Sequence, residues 1–275
     1  MTRNAALAEL QNSLHVSHGQ VFSYLACGLK YRFQYVERRP PERLSISLPF
    51  GKAIHASLER YYLSLQQGIT EPLDILEDLF AEQLAGEIQA TDVPVIFKKE
   101  TQDLGSAITM GRNMLKVFHE EVDLGDAEVV AVELPLSATL YSGEARATEY
   151  QLVGVIDLLL RDGQGNLIVT DHKTAAQQKS QSAVDDDLQL TAYSYLLTAG
   201  GHAPALSNTR CRMDVLRKLK TPKFERYDTI RTARDRRRFA KIAEGALAGI
   251  DARIFVPTRG WLCSDCAHRR ACEAW

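Results

Sequence analysis

No apolar run in the 275 residues approaches the roughly 20 residues that a membrane-spanning helix needs. The first residues, Met1 to Asn4, lead into no secretory apolar stretch, so we expect a cytoplasmic protein with no membrane partner. Internal repeats and low-complexity linkers are absent as well. Hydrophobic residues make up 45% of the chain, which supplies a folded core and excludes an intrinsically disordered protein.

Neither sign of charge dominates, since 33 basic and 35 acidic residues give a formal net charge of -2. This total conceals two regions of opposite charge. Residues 71–128 contain 14 acidic and 4 basic side chains, whereas residues 210–244 contain 13 basic and 5 acidic side chains. A basic region can bind a phosphate backbone, so the near-neutral total does not exclude a nucleic-acid partner.

The densest basic run lies in one predicted helix near the C-terminus. Its members are weak candidates for nucleic-acid binding: Arg234, Arg236, Arg237 and Arg238. The alternative is a solvated helix face. A second basic stretch, residues 30–43, alternates with aromatic side chains that either stack bases or belong to the core.

Hydrophobic periodicity predicts the order helices, strands, helix, strands, helix. The predicted helices span about 20–36, 50–67, 71–89, 101–122, 186–199 and 232–250. The predicted strands span about 128–136, 152–160, 167–170, 209–217 and 224–230. This order indicates an α/β or α+β domain whose sheet lies in the middle of the sequence, with the N-terminal helices packed around it.

A predicted hairpin brings two carboxylates together. When its strands are paired symmetrically about Gln164, Asp157 faces Asp171, with Cβ atoms about 4.5–5.5 Å apart. Lys173 projects from the same face as Asp171. Carboxylates this close repel each other unless a cation lies between them, so we expect Mg²⁺ or Mn²⁺ here. A surface hairpin with three exposed charges is the alternative.

Four motifs resemble the RecB-type branch of the PD-(D/E)XK nuclease superfamily. They are GKAIHASLE at 51–59, Gly154-x-x-Asp157, Asp171-x-Lys173 and Gln189-x-x-x-Tyr193. Each motif alone is weak, but all four stand in the family's order. The resemblance implies a restriction-endonuclease-like α/β core with a mixed central sheet, a helical N-terminal part and a cysteine-rich C-terminal tail.

The resemblance also implies metal ligands. Asp157 and Asp171 would bind the divalent ion with His55, and the backbone carbonyl of His172 would complete the set. Glu133, in the first strand of the central region, is a further candidate ligand. For His55 the alternative is an ordinary structural histidine of a helix.

The same resemblance assigns catalytic roles. Lys173 would activate the attacking water or stabilise the transition state. Gln189 and Tyr193 lie one turn apart on one helix face and would position the lysine, the water or the DNA backbone. A surface glutamine and a core tyrosine are the alternative for this pair.

Five cysteines are present, and three of them lie close together near the C-terminus: Cys263, Cys266 and Cys272. Such spacing in a cytosolic chain favours metal binding over disulfides. A four-thiolate site needs one more ligand, either Cys27 or Cys211. The segment around Cys27 resembles the opening of RecB-type nucleases with a 4Fe-4S cluster, such as the AddB nuclease domain and a CRISPR-associated exonuclease, which favours Cys27. Zinc is the alternative metal.

The implied function is metal-dependent hydrolysis of DNA. The resemblance favours an exonuclease that acts on single-stranded DNA. No Gly-x-x-x-x-Gly-Lys-Ser/Thr loop is present, so the chain has no helicase motor of its own. The protein either works alone or joins helicase, recombination, repair or CRISPR proteins, and a homo-oligomer is a further expectation. A non-catalytic iron–sulfur DNA-binding module, an endonuclease and an RNA nuclease are the alternatives. We expect one nuclease domain over 1–275: a mainly helical part at 20–125, a catalytic sheet core at 126–230, and a helix with an iron–sulfur tail at 231–275.

Overall fold

A computed structural model describes residues 14–275, so the prediction about Met1 to Asn4 lies outside the described residues. The strands are β1 (His15–Ser17), β2 (Leu44–Ser45), β3 (Val95–Ile96), β4 (Glu128–Tyr141), β5 (Ala147–Arg161), β6 (Leu167–Ala175), β7 (Thr209–Arg217) and β8 (Lys223–Arg231). Between 14 and 275 no helix is long and apolar enough to cross a membrane.

Five of the predicted helices, those at about 50–67, 71–89, 101–122, 186–199 and 232–250, are confirmed within a few residues. The α-helices are α1 (His18–Ala26), α2 (Gly28–Tyr31), α3 (Ser47–Gln66), α4 (Leu73–Gln89), α5 (Leu104–Glu121), α6 (Gln181–Asp185), α7 (Leu188–Ala199), α8 (Ala233–Asp251) and α9 (Arg269–Glu273). A π-helical turn follows α2 at Arg32–Val36, and a 3₁₀ turn lies at Trp261–Asp265. The single helix predicted over 20–36 is therefore wrong, because Cys27 adopts an extended conformation between α1 and α2.

Six strands form one mixed sheet. β1 runs parallel to β5, β4 and β6 run antiparallel to β5, β6 and β7 are parallel, and β8 is antiparallel to β7. Helices cover both faces. One core cluster lies between the sheet and α7 and α8, and the other lies between the sheet and α3, α4 and α5. The predicted α/β class with a mixed central sheet is confirmed.

The strand β5 changes partner along one of its edges. β4 pairs with β5 from residue 147 to residue 161 on one edge. On the opposite edge, β1 pairs with residues 151–153 and β6 pairs with residues 158–161. Residues 154–157 therefore lie at the junction of β1 and β6, where the backbone edge of β5 is open to side chains.

Gly154 lets α7 approach this junction. A Cβ atom at Gly154 would lie 2.8 Å from Leu196 Cδ1 and 3.6 Å from Tyr193 Cε1, both on α7. The first distance is shorter than real Cβ contacts, so a side chain at this position would force Leu196 Cδ1 to shift where α7 packs on β5. Gly154, the glycine of the Gly154-x-x-Asp157 motif, thus has a packing function.

The C-terminal segment lies against the N-terminal helices. The Leu29 N–H donates to the Val256 carbonyl oxygen at 3.1 Å. The Glu42 carboxylate accepts hydrogen bonds from the N–H groups of Arg270 and Ala271, both at 2.8 Å. Residues more than 200 positions apart are thereby linked, and Cys27 lies beside the cysteine-rich tail.

We predict that Gly154→Val lowers the free energy of unfolding by about 1–3 kcal/mol, because the added methyl groups overfill the contact with Leu196 and Tyr193. Gly245→Ala on α8 is the matched control, since a Cβ there meets nothing within 4 Å. That change should stabilise the helix by about 0.5–1 kcal/mol. Thermal and urea unfolding measure both, and a neutral Gly154→Val would refute the packing argument.

Candidate active site

Asp157 immediately precedes Leu158, whose pairing with Thr170 ends the β5–β6 ladder on the side away from the hairpin turn. Its carboxylate Oδ2 accepts a hydrogen bond from the backbone N–H of His172 at 2.8 Å. The side chain thus takes the place of a backbone partner where the two strands separate. The predicted hairpin register is confirmed as far as Leu158 and Thr170.

Lys173 and Asp171 form a buried ion pair on β6. Lys173 Nζ lies 2.9 Å from Asp171 Oδ1 and 2.7 Å from Oδ2. Asp171 is fully buried, and burial raises the pKa of its carboxyl even though Lys173 opposes the shift. For Lys173, burial would lower the pKa, but the charges of Asp171 and Asp157 outweigh it and the pKa is raised. The ammonium therefore stays charged.

A short chain of hydrogen bonds extends from Lys173 to α7. Lys173 Nζ donates to Gln189 Oε1 at 2.9 Å, and Gln189 Nε2 donates to the Tyr193 hydroxyl oxygen at 2.7 Å. Asp187 caps the N-terminus of α7 through a 2.9 Å bond from the Leu190 N–H. The glutamine thus has one position for its amide, and the lysine ammonium is directed toward Asp171.

A second cluster lies between α3 and the sheet. One ligand atom each from His55, Glu133 and Asp157 lie within 4.8 Å of one another. His55 Nδ1 is 3.6 Å from Asp157 Oδ2 and 4.0 Å from Glu133 Oε1. Glu133 has a left-handed backbone with φ 48°, a conformation that a non-glycine residue adopts at a cost of about 1 kcal/mol or more.

The electrostatics of this cluster are unfavourable without a further cation. Burial, and then the charge of Asp171, raises the pKa of Asp157 to about 7. Burial would lower the pKa of His55, but its hydrogen bond to Glu133 and the charge of Asp157 raise it instead. The buried acids therefore draw protons toward the site to reduce their mutual repulsion.

A divalent metal ion fits this donor set. A metal-bound histidine must be neutral, so the formal charges of Glu133, Asp157, Asp171 and Lys173 sum to -2. One divalent cation would balance that charge within His55, Glu133 and Asp157. Carboxylate oxygens suit Mg²⁺ and Mn²⁺, and an imidazole ligand is compatible with Mn²⁺.

The structure brings the predicted metal ligands and catalytic residues into one region. It does not place all the predicted metal ligands in one group. His55 and Asp157 lie in the three-residue group, while Asp171 lies beside Lys173. Glu133 joins the group because its neighbours Val132 and Leu134 pair with Leu158 and Ile156, the residues on either side of Asp157. Hydrophobic patterning alone does not specify this register. The backbone of His172 is at the site through its N–H, and its ring stacks on Tyr62 with centroids 5.4 Å apart. A carbonyl ligand from His172 stays a prediction.

One predicted DNA-binding arginine is corrected. Arg236 is buried, and its guanidinium donates to the carbonyl oxygens of Ala205 and Ser207, both at 2.9 Å. These bonds occupy it within the fold, so it cannot contact a phosphate. Arg234, Arg237 and Arg238 are exposed on α8 and stay candidates.

The four predicted cluster cysteines lie in one region. The Thr258 N–H lies 3.5 Å from Cys27 Sγ, which places the tail beside the N-terminal cysteine. Burial, followed by the charges of Cys27, Cys266 and Cys263, raises the pKa of Cys272. Cys211 lies apart from them in β7, fully buried, and burial raises its pKa to about 12.

Comparison with known proteins identifies the family. The profile of the PD-(D/E)XK nuclease superfamily matches residues 15–273. None of the curated proteins compared matches the chain. A solved structure described as a putative exonuclease from Eubacterium rectale shares 10% identity and covers 98% of this chain and 93% of its own, with a TM-score of 0.57.

A second solved structure, SSO0001, shares 16% identity over 90% of this chain and 94% of its own. Its TM-score of 0.40 is too low to support an argument. The profile match spans the sheet, the buried acids and the tail, and the restriction-endonuclease-like fold follows from it. The chain belongs to the PD-(D/E)XK nuclease superfamily.

Proposed function

We propose that this protein is a divalent-metal-dependent deoxyribonuclease that degrades single-stranded DNA from an end. The observation that carries the proposal is the group of His55, Glu133 and Asp157 next to the Asp171–Lys173 pair. Three acids and a lysine in a buried notch destabilise a protein unless they bind a cation and an anionic substrate. Superfamily membership supports the same reading.

Mg²⁺ or Mn²⁺ held by His55, Glu133 and Asp157 would polarise a phosphoryl oxygen and lower the pKa of a bound water. In the ligand set we propose, Asp171 and the His172 carbonyl complete the protein's contribution. The chain's own residues do the rest. Lys173 Nζ, fixed by Asp171 and Gln189, presents a positive charge to the phosphate as negative charge develops on it. Tyr193 keeps the Gln189 amide in the orientation that accepts from the lysine.

The proposed substrate is DNA, and we propose that the enzyme attacks single strands from an end. Family membership and the charge distribution of the chain support both proposals. The structural neighbour from Eubacterium rectale is described as a putative exonuclease, which supports the same class here. The basic region 210–244 includes β7 and β8 beside the site and offers contacts to a phosphate backbone. Helicase, recombination or CRISPR proteins, or a second copy of the chain, are the partners we propose.

The experiment that tests the proposal compares linear single-stranded DNA, labelled at the 5′ or the 3′ end, with a closed single-stranded circle. An exonuclease degrades the linear strands progressively and leaves the circle intact. Cleavage of the circle would instead assign an endonuclease. Equal or faster cleavage of RNA would overturn the DNA assignment, and no cleavage with Mg²⁺ or Mn²⁺ would indicate a binding module.

We propose in addition that Cys27, Cys263, Cys266 and Cys272 bind a 4Fe-4S cluster, as in the RecB-type branch. The Thr258 N–H lies 3.5 Å from Cys27 Sγ, so the N-terminal cysteine lies beside the tail that carries the other three. Zinc is the alternative metal for four thiolates. The cluster would join both ends of one nuclease domain spanning the chain.

We predict that Asp157→Asn lowers the rate of metal-dependent cleavage on the order of 1,000-fold or more. Asparagine keeps an oxygen for the His172 N–H, so the thermal midpoint without metal should not fall. Asp92→Asn, at an exposed position, is the matched control and should retain full activity. Normal cleavage by the Asp157 variant would refute the site.

We predict that Cys272→Ser removes the visible absorbance of protein purified without oxygen and lowers its thermal midpoint, because the N-terminal and C-terminal segments lose a shared ligand site. Cys211→Ala should keep the absorbance, since that thiol lies outside the group. Colourless wild-type protein with stoichiometric zinc would contradict the iron–sulfur assignment and favour zinc.

A further inference from the structure

Lys218, in the turn between β7 and β8, carries a positive charge that no acid neutralises directly. Its Nζ lies 4.1 Å from the centroid of the Phe50 ring. Across residues 14–275, no carboxylate lies within ion-pair distance of this ammonium. Burial, opposed by the charge of Glu100 and reinforced by Lys98, lowers the pKa of Lys218 to about 8. The charged form is therefore poorly compensated.

The position of Lys218 is close to the candidate active site along two elements. Its backbone N–H donates to the Ala175 carbonyl oxygen at 2.9 Å, two residues after Lys173 on β6. Phe50 lies on α3, five residues before His55, a rise of about 7.5 Å along the helix. Two of the elements that supply active-site residues, α3 and β6, thus contact Lys218.

A half-buried ammonium that pairs with no carboxylate lowers the stability of the folded protein, so stability alone does not explain Lys218. The face of Phe50 compensates only part of the lost hydration, since such contacts contribute less than an ion pair with hydrogen bonds. A methionine would cover Phe50 as well without a desolvated charge. Residues 14–275 supply no carboxylate partner for Lys218, which leaves its ammonium available to an anionic ligand.

The side chains near Lys218 carry the positive charge that binding of a polyanion such as a nucleic-acid backbone needs. Lys220 and Lys223 follow Lys218 in the sequence and are exposed. Lys98, across from the turn, is paired with Asp265 and so adds little free charge. Positive charge is therefore concentrated at the β7–β8 turn, which suits contacts with successive phosphates of a strand.

We propose that Lys218 binds the phosphodiester next to the reacting one and positions the DNA strand in the active site. The inference rests on the proposed nuclease function and adds the residue that sets where the strand lies. Lys218 acts through the substrate backbone, so it is a positioning residue, and its loss should weaken binding and raise KM more than it lowers kcat.

The test measures binding of a short fluorescein-labelled oligothymidylate by fluorescence anisotropy, in EDTA, over a range of salt concentrations. Lys218→Met should weaken binding about 5- to 10-fold, and the slope of log affinity against log salt should fall by about 0.7, the value for one phosphate contact on a single strand. Lys116→Met, at an exposed position on α5 in the acidic region 71–128, is the matched control and should change neither. Lys218→Arg keeps the charge and should keep the slope.

Thermal unfolding separates this account from a structural role. Lys218→Met should be as stable as the wild type or more stable, because a desolvated charge is removed, while its DNA binding weakens. Wild-type affinity and salt slope in Lys218→Met, or equal losses in Lys218→Met and Lys218→Arg, would overturn the inference and leave the nuclease function intact. Wild-type protein that neither binds nor cleaves the oligonucleotide would overturn both.

Discussion

The geometry of the candidate active site depends on the hydrogen bond from the His172 N–H to Asp157 Oδ2. At this position β6 stops pairing with β5, and β1 takes over the same edge four residues earlier. A continuous ladder would use the His172 N–H for backbone pairing and leave no notch. Because the ladder is interrupted, one carboxylate stays inside the sheet, and α3 and α7 can bring side chains to it from opposite faces.

This notch concentrates charge where a protein interior tolerates it least. Asp157, Asp171 and Glu133 are buried together, and one lysine and one histidine offset only part of their repulsion. Lys218 repeats the pattern with the opposite sign, as a half-buried cation that pairs with no carboxylate of residues 14–275. Such groups reduce stability in the free protein, and each becomes favourable when a ligand of opposite charge binds. The uncompensated acids and the uncompensated lysine are thus complementary to a metal ion and a phosphodiester.

Much of this site could be predicted from local sequence, because a short hairpin fixes the register that carries Asp157, Asp171 and Lys173. Gln189 and Tyr193 share a helix face by spacing alone. Glu133 could be proposed only as a further candidate, since its approach to His55 depends on β4 pairing and on a left-handed backbone. The burial of Arg236 and the isolation of Lys218 depend on contacts with segments distant in sequence. The break at Cys27 likewise arises from the tail beside it, which helical periodicity does not reveal.

The central claim is that the buried acids form a binding site for one divalent cation. It is tested most directly by titration of the wild type and Asp157→Asn with Mn²⁺, with free Mn²⁺ measured by electron paramagnetic resonance. The account predicts saturable binding of Mn²⁺ at this site in the wild type, a higher thermal midpoint with Mn²⁺, and loss of both in the variant. Absence of saturable binding in the wild type, or equal binding by the variant, would contradict it.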